Sequence, residues 1–476
     1  MTVVRPRERR AVSPAIGAPT LLVGGALALA ALSLLAPSIP SYDPFAWIVW
    51  GRELTHPGLT FGLAGGPSWK PLPVLFTAPF SLVADGAAPS LWLVVARAGA
   101  LLALAGAYAL GARLAGVWAG LVAALGVLLT DDFTSLTWRG ASEPLLLACV
   151  LWAVERHLAG RRGTAFWLGV GAALIRPEAW PFLGLYALWR WRQTERRERL
   201  AMAGGLLLIP LLWFGPPGLI GDPFSASSHA SNYNGQTGSD PALTALRRGL
   251  GLPLAPIWVA AAAALALRPR DRIVRGLAIG ALAWLLLVVA MTVAGYPGLA
   301  RFMLPAAALA CVLAGVGAVE LVARAEERTG RRAAGALAVV ALLAVGVAFG
   351  LGPTRTAVAN TRTAIDAAGL QHELSDALAA AGGRKHVLAC GVVAVNHTAQ
   401  TAFAWKLHVP LDRIAFQVAR AGVVFRGPRD LALGATPEIA MPPPFRKVLL
   451  AHRGVWYVKA VLPDHAPLPA GCGPRG

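Results

Sequence analysis

Charge is scarce in this sequence. Asp, Glu, Lys and Arg make up 14% of its 476 residues, where a soluble globular protein carries about a quarter. Together with 56% hydrophobic residues and a mean hydropathy of +0.58, that shortage excludes an ordinary cytosolic enzyme, a disordered chain and a fibrous repeat, and points to a membrane protein. Lysine is scarcer still, found only at 70, 385, 406, 447 and 459, so the net charge of +19 is almost wholly arginine. The arginines fall in short clusters between apolar runs, which reads as membrane orientation and not as a nucleic-acid partner. Four cysteines are too few for a disulfide scaffold, and none has metal-ligand spacing. Cys149 and Cys311 sit inside apolar runs, whereas Cys390 and Cys472 lie in a polar tail and are free to bridge if that tail is extracytoplasmic. Internal repeats at solenoid periods and low-complexity tracts are absent.

What is present is a succession of apolar runs. The first, 18–36, follows Arg5, Arg7, Arg9 and Arg10 and is long, with no clear small-residue cleavage site after it, so a retained anchor with a cytoplasmic N-terminus is expected. A loop rich in aromatics, Pro and Gly spans 37–90 and is expected to lie along the outer interface as short helices, with residues 71–83 dipping inward. Further runs cover 91–112, 117–131, 143–158, 164–175, 178–191, 200–216, 252–267, 275–295, 302–323 and 334–352. Several are shorter than the ~20 residues that cross a bilayer. Eleven spans are expected, and with that count almost every arginine cluster alternates to the inner side, Arg247 and Arg248 being the exception.

The composition changes after 352. Residues 1–352 read as a transmembrane domain and 353–476 as an extracytoplasmic α/β domain. The latter holds a helix at 361–381 ended by Gly382-Gly383, and strand-like runs at 386–393, 414–418, 447–450 and 455–462. The expected fold is therefore mainly α, a polytopic transmembrane helical bundle with a small outer α/β domain, in the plasma membrane.

The same topology gathers ionisable residues on the outer face: Asp43 and Glu53, then Asp131, Asp132 and Glu143, then Glu178 and Asp222, joined by Arg139, Arg176 and Arg301. Each charge at membrane depth costs about 2.5–3.5 kcal/mol, so such a set implies a wet cleft open to the outside.

The motifs that hold these residues are Tyr42-Asp43-Pro44-Phe45, Trp138-Arg139-Gly140-Ala141-Ser142-Glu143-Pro144, Leu174-Ile175-Arg176-Pro177-Glu178, Gly221-Asp222-Pro223-Phe224 and the segment 298–305 with Arg301-Phe302. In order and sidedness they resemble the GT-C superfamily of polytopic glycosyltransferases that use polyprenyl-phosphate sugars. The resemblance implies that Asp43 is the catalytic base of an inverting transfer, since an attacking hydroxyl needs a carboxylate to take its proton while a phosphate leaves without an acid. A helix cap at Asp43, with Pro44 in the first turn, is the structural alternative. Glu143 is implied as a second acid that orients the acceptor or holds a metal, with Asp131 and Asp132 competing for that role. A divalent cation such as Mg²⁺ is left open, because its oxygen ligands would have to converge from separate loops.

Arg301 resembles the arginine-aromatic-x-x-proline segment near the lipid-phosphate site, and a guanidinium fork suits phosphate oxygens; snorkelling to headgroups is the alternative. Arg139, Lys70 and His229 join it as candidate phosphate contacts, His229 because Ser225–His229 lacks the basic residue often found after Gly-Asp-Pro. Arg176 and Glu178 read as a local ion pair. Arg97, inside a span, requires snorkelling or an acidic partner. The five tail histidines and Asn396-His397-Thr398 read as surface features.

The expected function is transfer of a sugar from a polyprenyl-phosphate donor to an outer-face glycan, glycolipid or protein acceptor. A lipid or sugar transporter or flippase is the rival. It predicts repeated halves and charges near the midplane, neither of which the sequence displays. A silent anchor for the outer domain is the third reading.

Overall fold

The computed structural model describes residues 17–63, 65–231, 239–427 and 437–472. The N-terminal basic cluster lies outside these. The helices are α1 (Gly17–Leu32), α2 (Tyr42–Thr55), α3 (Pro71–Ala84), α4 (Ala88–Ala115), α5 (Val117–Leu128), α6 (Phe133–Trp138), α7 (Glu143–Leu158), α8 (Arg162–Ala173) and α9 (Trp180–Trp191). They continue with α10 (Arg196–Leu219), α11 (Ser225–Ser231), α12 (Pro241–Leu250), α13 (Ala255–Leu267), α14 (Arg272–Val293), α15 (Leu304–Thr329), α16 (Arg332–Ala380), α17 (Gly383–Ala389) and α18 (Gln400–Leu407).

Each of the eleven apolar runs falls on a helix. Among the described residues, five segments are long and apolar enough to cross a bilayer on their own: Pro71–Ala115, Arg196–Leu219, Arg272–Val293, Ala300–Thr329 and Arg332–Ala380. The pair α12 and α13, bent by 84°, makes a sixth if taken as one span. Helices α5, α8 and α9, of 12 residues each, fall short of the ~20-residue requirement, which separates a count of apolar runs from a count of full-length spans. Arg247 and Arg248, the exception to the charge alternation, lie on α12, where Arg248 Nη1 donates to the Gly298 carbonyl at 2.9 Å.

The bundle is built around α15, whose residues Leu304–Ala318 are all buried. Its face is made of Ala and Gly because neighbours approach closely: a Cβ on Gly317 would run into the Ala260 carbonyl of α13, and one on Gly315 into the Ala119 carbonyl of α5. Small residues that allow such contact give helices in lipid their dispersion energy. By contrast only 11% of the apolar window of α16 is buried, so this helix runs along the outside of the bundle.

The tail carries strands β1 (Val392–Ala394), β2 (Ile414–Ala415), β3 (Gln417–Val418), β4 (Gly422–Arg426), β5 (Glu438–Ile439), β6 (Phe445–Arg453) and β7 (Trp456–Pro463). Five form a sheet in the order β2-β1-β4-β7-β6, parallel around β1 and antiparallel around β7, while β3 and β5 pair separately. Two sequence expectations are corrected here. Residues 383–389 are helical, leaving only the end of the 386–393 run as a strand, and β4, which ends on Arg426, is a strand that the sequence pattern does not announce. The 352/353 boundary falls inside α16, which runs unbroken for 49 residues with Pro353 in its interior. Cys390 and Cys472 are disulfide-bonded, and Cys149 and Cys311 are buried free thiols.

The tail packs onto the segment that carries Asp43. Arg52 of α2 is 2% exposed; its Nη1 donates to the Trp405 carbonyl of α18 at 2.9 Å and its Nε to Asp85 at 2.8 Å. Tyr42 donates to Gln400 Oε1 at 3.0 Å, and Phe45 meets the Trp405 ring.

Candidate active site

Two backbone hydrogen bonds and one from a side chain bring the loops at one end of the bundle together. Ser41 N donates to the Arg139 carbonyl at 2.9 Å, tying the start of α2 to the α6–α7 connection. Leu72 N donates to the Leu174 carbonyl at 3.1 Å, tying the start of α3 to the turn before α9. Trp69 Nε1 donates to the Leu212 carbonyl at 3.0 Å, drawing in α10. Asp43, Lys70, Glu143 and Arg176 are thereby delivered to one place from positions far apart in the chain, and Arg301 joins them through ion pairs with Asp43 and Glu143.

Asp43 occupies the first turn of α2, whose cap position is Ser41, and no side chain caps that helix. Its carboxylate is thus not consumed by capping and pairs with Arg301, Oδ2 to Nη1 at 3.1 Å; both side chains are partly exposed. Arg301 reaches on to Glu143 Oε1 at 3.8 Å. Glu143 is wholly buried, and the same oxygen takes Arg176 Nη2 at 2.6 Å and Lys70 Nζ at 3.4 Å. Ser142 holds the cap position of α7 without a capping side-chain bond, and its hydroxyl accepts from Lys70 Nζ at 2.9 Å.

One carboxylate therefore anchors three cations, which offsets part of the cost of burying each of them. The Arg176–Glu178 pair forms at 3.3 Å, yet Arg176 lies closer to Glu143 and its guanidinium stacks 3.6 Å from the Phe302 ring centroid. Burial lowers the Lys70 ammonium to about 8, against the opposing pull of Glu143. Among the side-chain atoms sealed from solvent without a hydrogen-bond partner are Glu143 Oε2, Glu178 Oε2, Arg176 Nε and Arg301 Nε.

Asp43, Lys70, Arg176, Glu178 and Arg301 open onto a cavity of about 500 Å³ whose apolar walls include Trp69, Trp180, Trp213, Phe224 and Phe302. Trp180 and Trp213 both donate to the Ala173 carbonyl, at 3.0 and 2.9 Å, which fixes that wall. Tyr296, which the sequence did not single out, lines the same cavity and hydrogen-bonds at 2.6 Å to Ser227 of the Ser225–His229 stretch. The signal available for Tyr296 was an aromatic within Gly295-Tyr296-Pro297-Gly298, just ahead of Arg301. A second cavity, of about 670 Å³ and almost wholly apolar, lies further along α9 and α14 and runs from Trp284 to Arg272 and His157.

The remaining candidates lie elsewhere. Asp131 and Asp132 are exposed and line a separate cavity with Trp258 and Asn360. Arg139 and Asp222 have exposed side chains outside the lining of the aromatic-walled cavity. His229 is on α11, and its side chain lies outside the described residues. Arg97 neither snorkels nor meets an acid: its guanidinium bonds Ser33 and Ser38 and stacks 4.6 Å from the Trp138 ring centroid. Among the described residues, no three of His, Cys, Asp and Glu converge as a metal site would require.

The opposite ends of these helices hold a second polar layer. Arg113 meets Glu155 at 2.6 Å, and Arg268 meets Glu320 at 2.5 Å. The bundle is thus polar at both ends and apolar between them.

No protein-family model and no curated protein matches the sequence. Solved structures do. The crystal structure of ArnT from Cupriavidus metallidurans bound to undecaprenyl phosphate aligns with a TM-score of 0.56 over 97% of this chain and 100% of its own, at 14% identity. ArnT in the apo state aligns with a TM-score of 0.54 over 96% of this chain and 99% of its own, at 16% identity. The alignment takes in the bundle and the tail alike, so the fold is shared across the whole molecule. The chain is a polytopic membrane protein with a GT-C-like fold, the fold expected from its loop motifs.

Proposed function

We propose that the chain is an integral membrane glycosyltransferase that moves a sugar from a polyprenyl-phosphate donor to an acceptor hydroxyl on the outer face. The observation that carries this reading is the meeting of Asp43 and Arg301, 258 positions apart in sequence, at 3.1 Å on the wall of one aromatic-lined cavity. Arg301 and Lys70 supply fixed donors for a phosphate, and in a low-dielectric site such preorganised charge stabilises a leaving group strongly. The separate apolar cavity along α9 and α14 suits an isoprenoid chain; undecaprenyl phosphate is bound in the ArnT structure of the same fold.

In the reaction, the acceptor oxygen bonds to the anomeric carbon as the bond from that carbon to the phosphate oxygen breaks. The bonding pair leaves with polyprenyl phosphate, and Asp43 takes the acceptor proton. A single displacement of this kind inverts the anomeric centre. Phosphate arriving at Arg301 releases Asp43 from its ion pair, so that donor binding prepares the base. Glu143, sealed from solvent, holds Lys70, Arg176 and Arg301 in place and contacts neither substrate.

The test is to incubate purified protein with a synthetic polyprenyl-phosphate sugar and envelope glycolipid extract. Free polyprenyl phosphate and a new glycoside should appear together, and Asp43→Asn should stop both. Donor flux across a vesicle with no glycoside formed would favour a transporter and remove this assignment.

A further inference from the structure

The tail is strongly basic. Its described residues from 383 onward hold ten Lys and Arg against three acids, Asp412, Glu438 and Asp464. Its five-stranded sheet has two unlike faces. One carries Leu450, Trp456 and Val458, is buried, and packs on α16, with Trp456 Nε1 donating to the Leu370 carbonyl at 3.1 Å. The other is covered at one end by the β3–β5 pair, around Val418, Val424 and Val461. Beyond that cover it is open.

Register shows what stands on the open part. Arg426 of β4 faces Tyr457 of β7, which faces His452 of β6; in the next row Val424 faces Lys459 and then Leu449; in the third, Val461 faces Lys447. Arg426, Lys447, Leu449, His452 and Tyr457 are exposed and Lys459 is half-buried. Tyr457 and His452 stack with ring centroids 4.1 Å apart, and Lys459 sits 5.6 Å from the Tyr457 centroid. Among the described residues of these rows there are three fixed cations and no acid.

We propose that this open sheet face binds an anionic polysaccharide. The three cations are spaced across neighbouring strands, which stand about 4.8 Å apart, and so match repeated negative groups along an extended polymer. The stacked Tyr457–His452 pair offers an apolar face for a sugar ring beside those charges. The occupant is a soluble polymer and not the bilayer surface, because of where the sheet hangs on α16. The stretch from Gly352, where the apolar part of that helix ends, to Leu370, where the sheet packs, is about 27 Å long, about three Debye lengths at physiological salt. The site lies apart from the cavity that holds Asp43 and does not depend on the transferase reading.

The experiment measures binding of the full-length protein, in detergent, to immobilised polygalacturonate, to neutral dextran and to phosphatidylglycerol vesicles. Wild type binds polygalacturonate at least tenfold more tightly than dextran, and the binding weakens as salt is raised. The combined Arg426→Gln, Lys447→Gln and Lys459→Gln variant loses at least tenfold, Lys447→Arg with Lys459→Arg retains binding, and Asp43→Asn binds like wild type. Arg426 and Lys447 are exposed and Lys459 half-buried, and an unchanged thermal transition certifies the fold of each variant. Equal binding to dextran, undiminished binding by the triple variant, or a charge-dependent preference for the vesicles over polygalacturonate would overturn the proposal.

Discussion

At the residue scale the account turns on how one cluster divides its labour. Asp43 is reachable from the cavity and unencumbered by capping, so Asp43→Asn is expected to lower turnover by about 10²–10⁴-fold, the usual worth of a positioned base, while the melting temperature stays put. Glu143→Gln should do the reverse. Removing the charge leaves Lys70, Arg176 and Arg301 without their shared buried anchor, a change that costs about 3–5 kcal/mol and is read as a drop in melting temperature. Lys70, brought down to about 8 by burial, loses its charge as pH rises through that value. The donor KM is therefore expected to climb on the alkaline side, and Lys70→Arg to move that limb upward, because a guanidinium keeps its proton.

The resemblance to GT-C enzymes is what singled out Asp43 and Arg301 in the sequence, as an acid beside proline in the first loop and an arginine before an aromatic at a helix start. Convergence was not legible. Nothing in the spacing of Glu143, Arg176 and Lys70 reveals that they share one carboxylate oxygen, since that depends on how α3, α7 and α9 meet. Asp131 and Asp132 have the composition of a site, yet they line a different cavity.

At the scale of elements, the apolar runs located helices well, because hydrophobicity alone drives a segment out of water. They could not show which runs cross in full, for a 12-residue helix is sheltered by its neighbours and not by its own length. The tightness of that sheltering is testable at α15: Gly317→Leu sets a side chain against the Ala260 backbone of α13 and should cost at least about 1–3 kcal/mol of overpacking, visible as lost folded yield in detergent. Strands in the tail were partly missed because short β4 lacks the alternation that marks a half-buried strand; most of its residues are buried on both faces.

The junction of α2 with the tail carries its own pH dependence. Burial raises the Glu53 carboxyl to about 8, with Asp412 adding to the effect, so the native state holds a proton that the unfolded chain releases near its ordinary value of 4.5. Its contribution to stability is complete below that ordinary value and is lost as pH climbs toward 8. Melting temperature should fall over this interval, and Glu53→Gln should flatten the fall.

For the whole molecule, the arrangement proposed is a bundle with its charged cleft outward and a basic tail above it, tied down by α18 on α2. Orientation rests on the arginine clusters, which gather with Arg113, Arg156 and Arg268 at the end opposite Asp43. A disulfide between Cys390 and Cys472 accords with an oxidising outer compartment. Cysteines placed at exposed Arg420 and Arg270 should react with an impermeant maleimide in intact cells at the first position and not at the second; the opposite pattern would invert the topology.

The most direct measurement is a density map of the protein with undecaprenyl phosphate. The account places the phosphate within hydrogen-bond reach of Arg301 and Lys70, the isoprenoid chain along α9 and α14, and Asp43 parted from Arg301. A phosphate bound away from Arg301, with the Asp43 pair intact and the aromatic cavity empty, would contradict it.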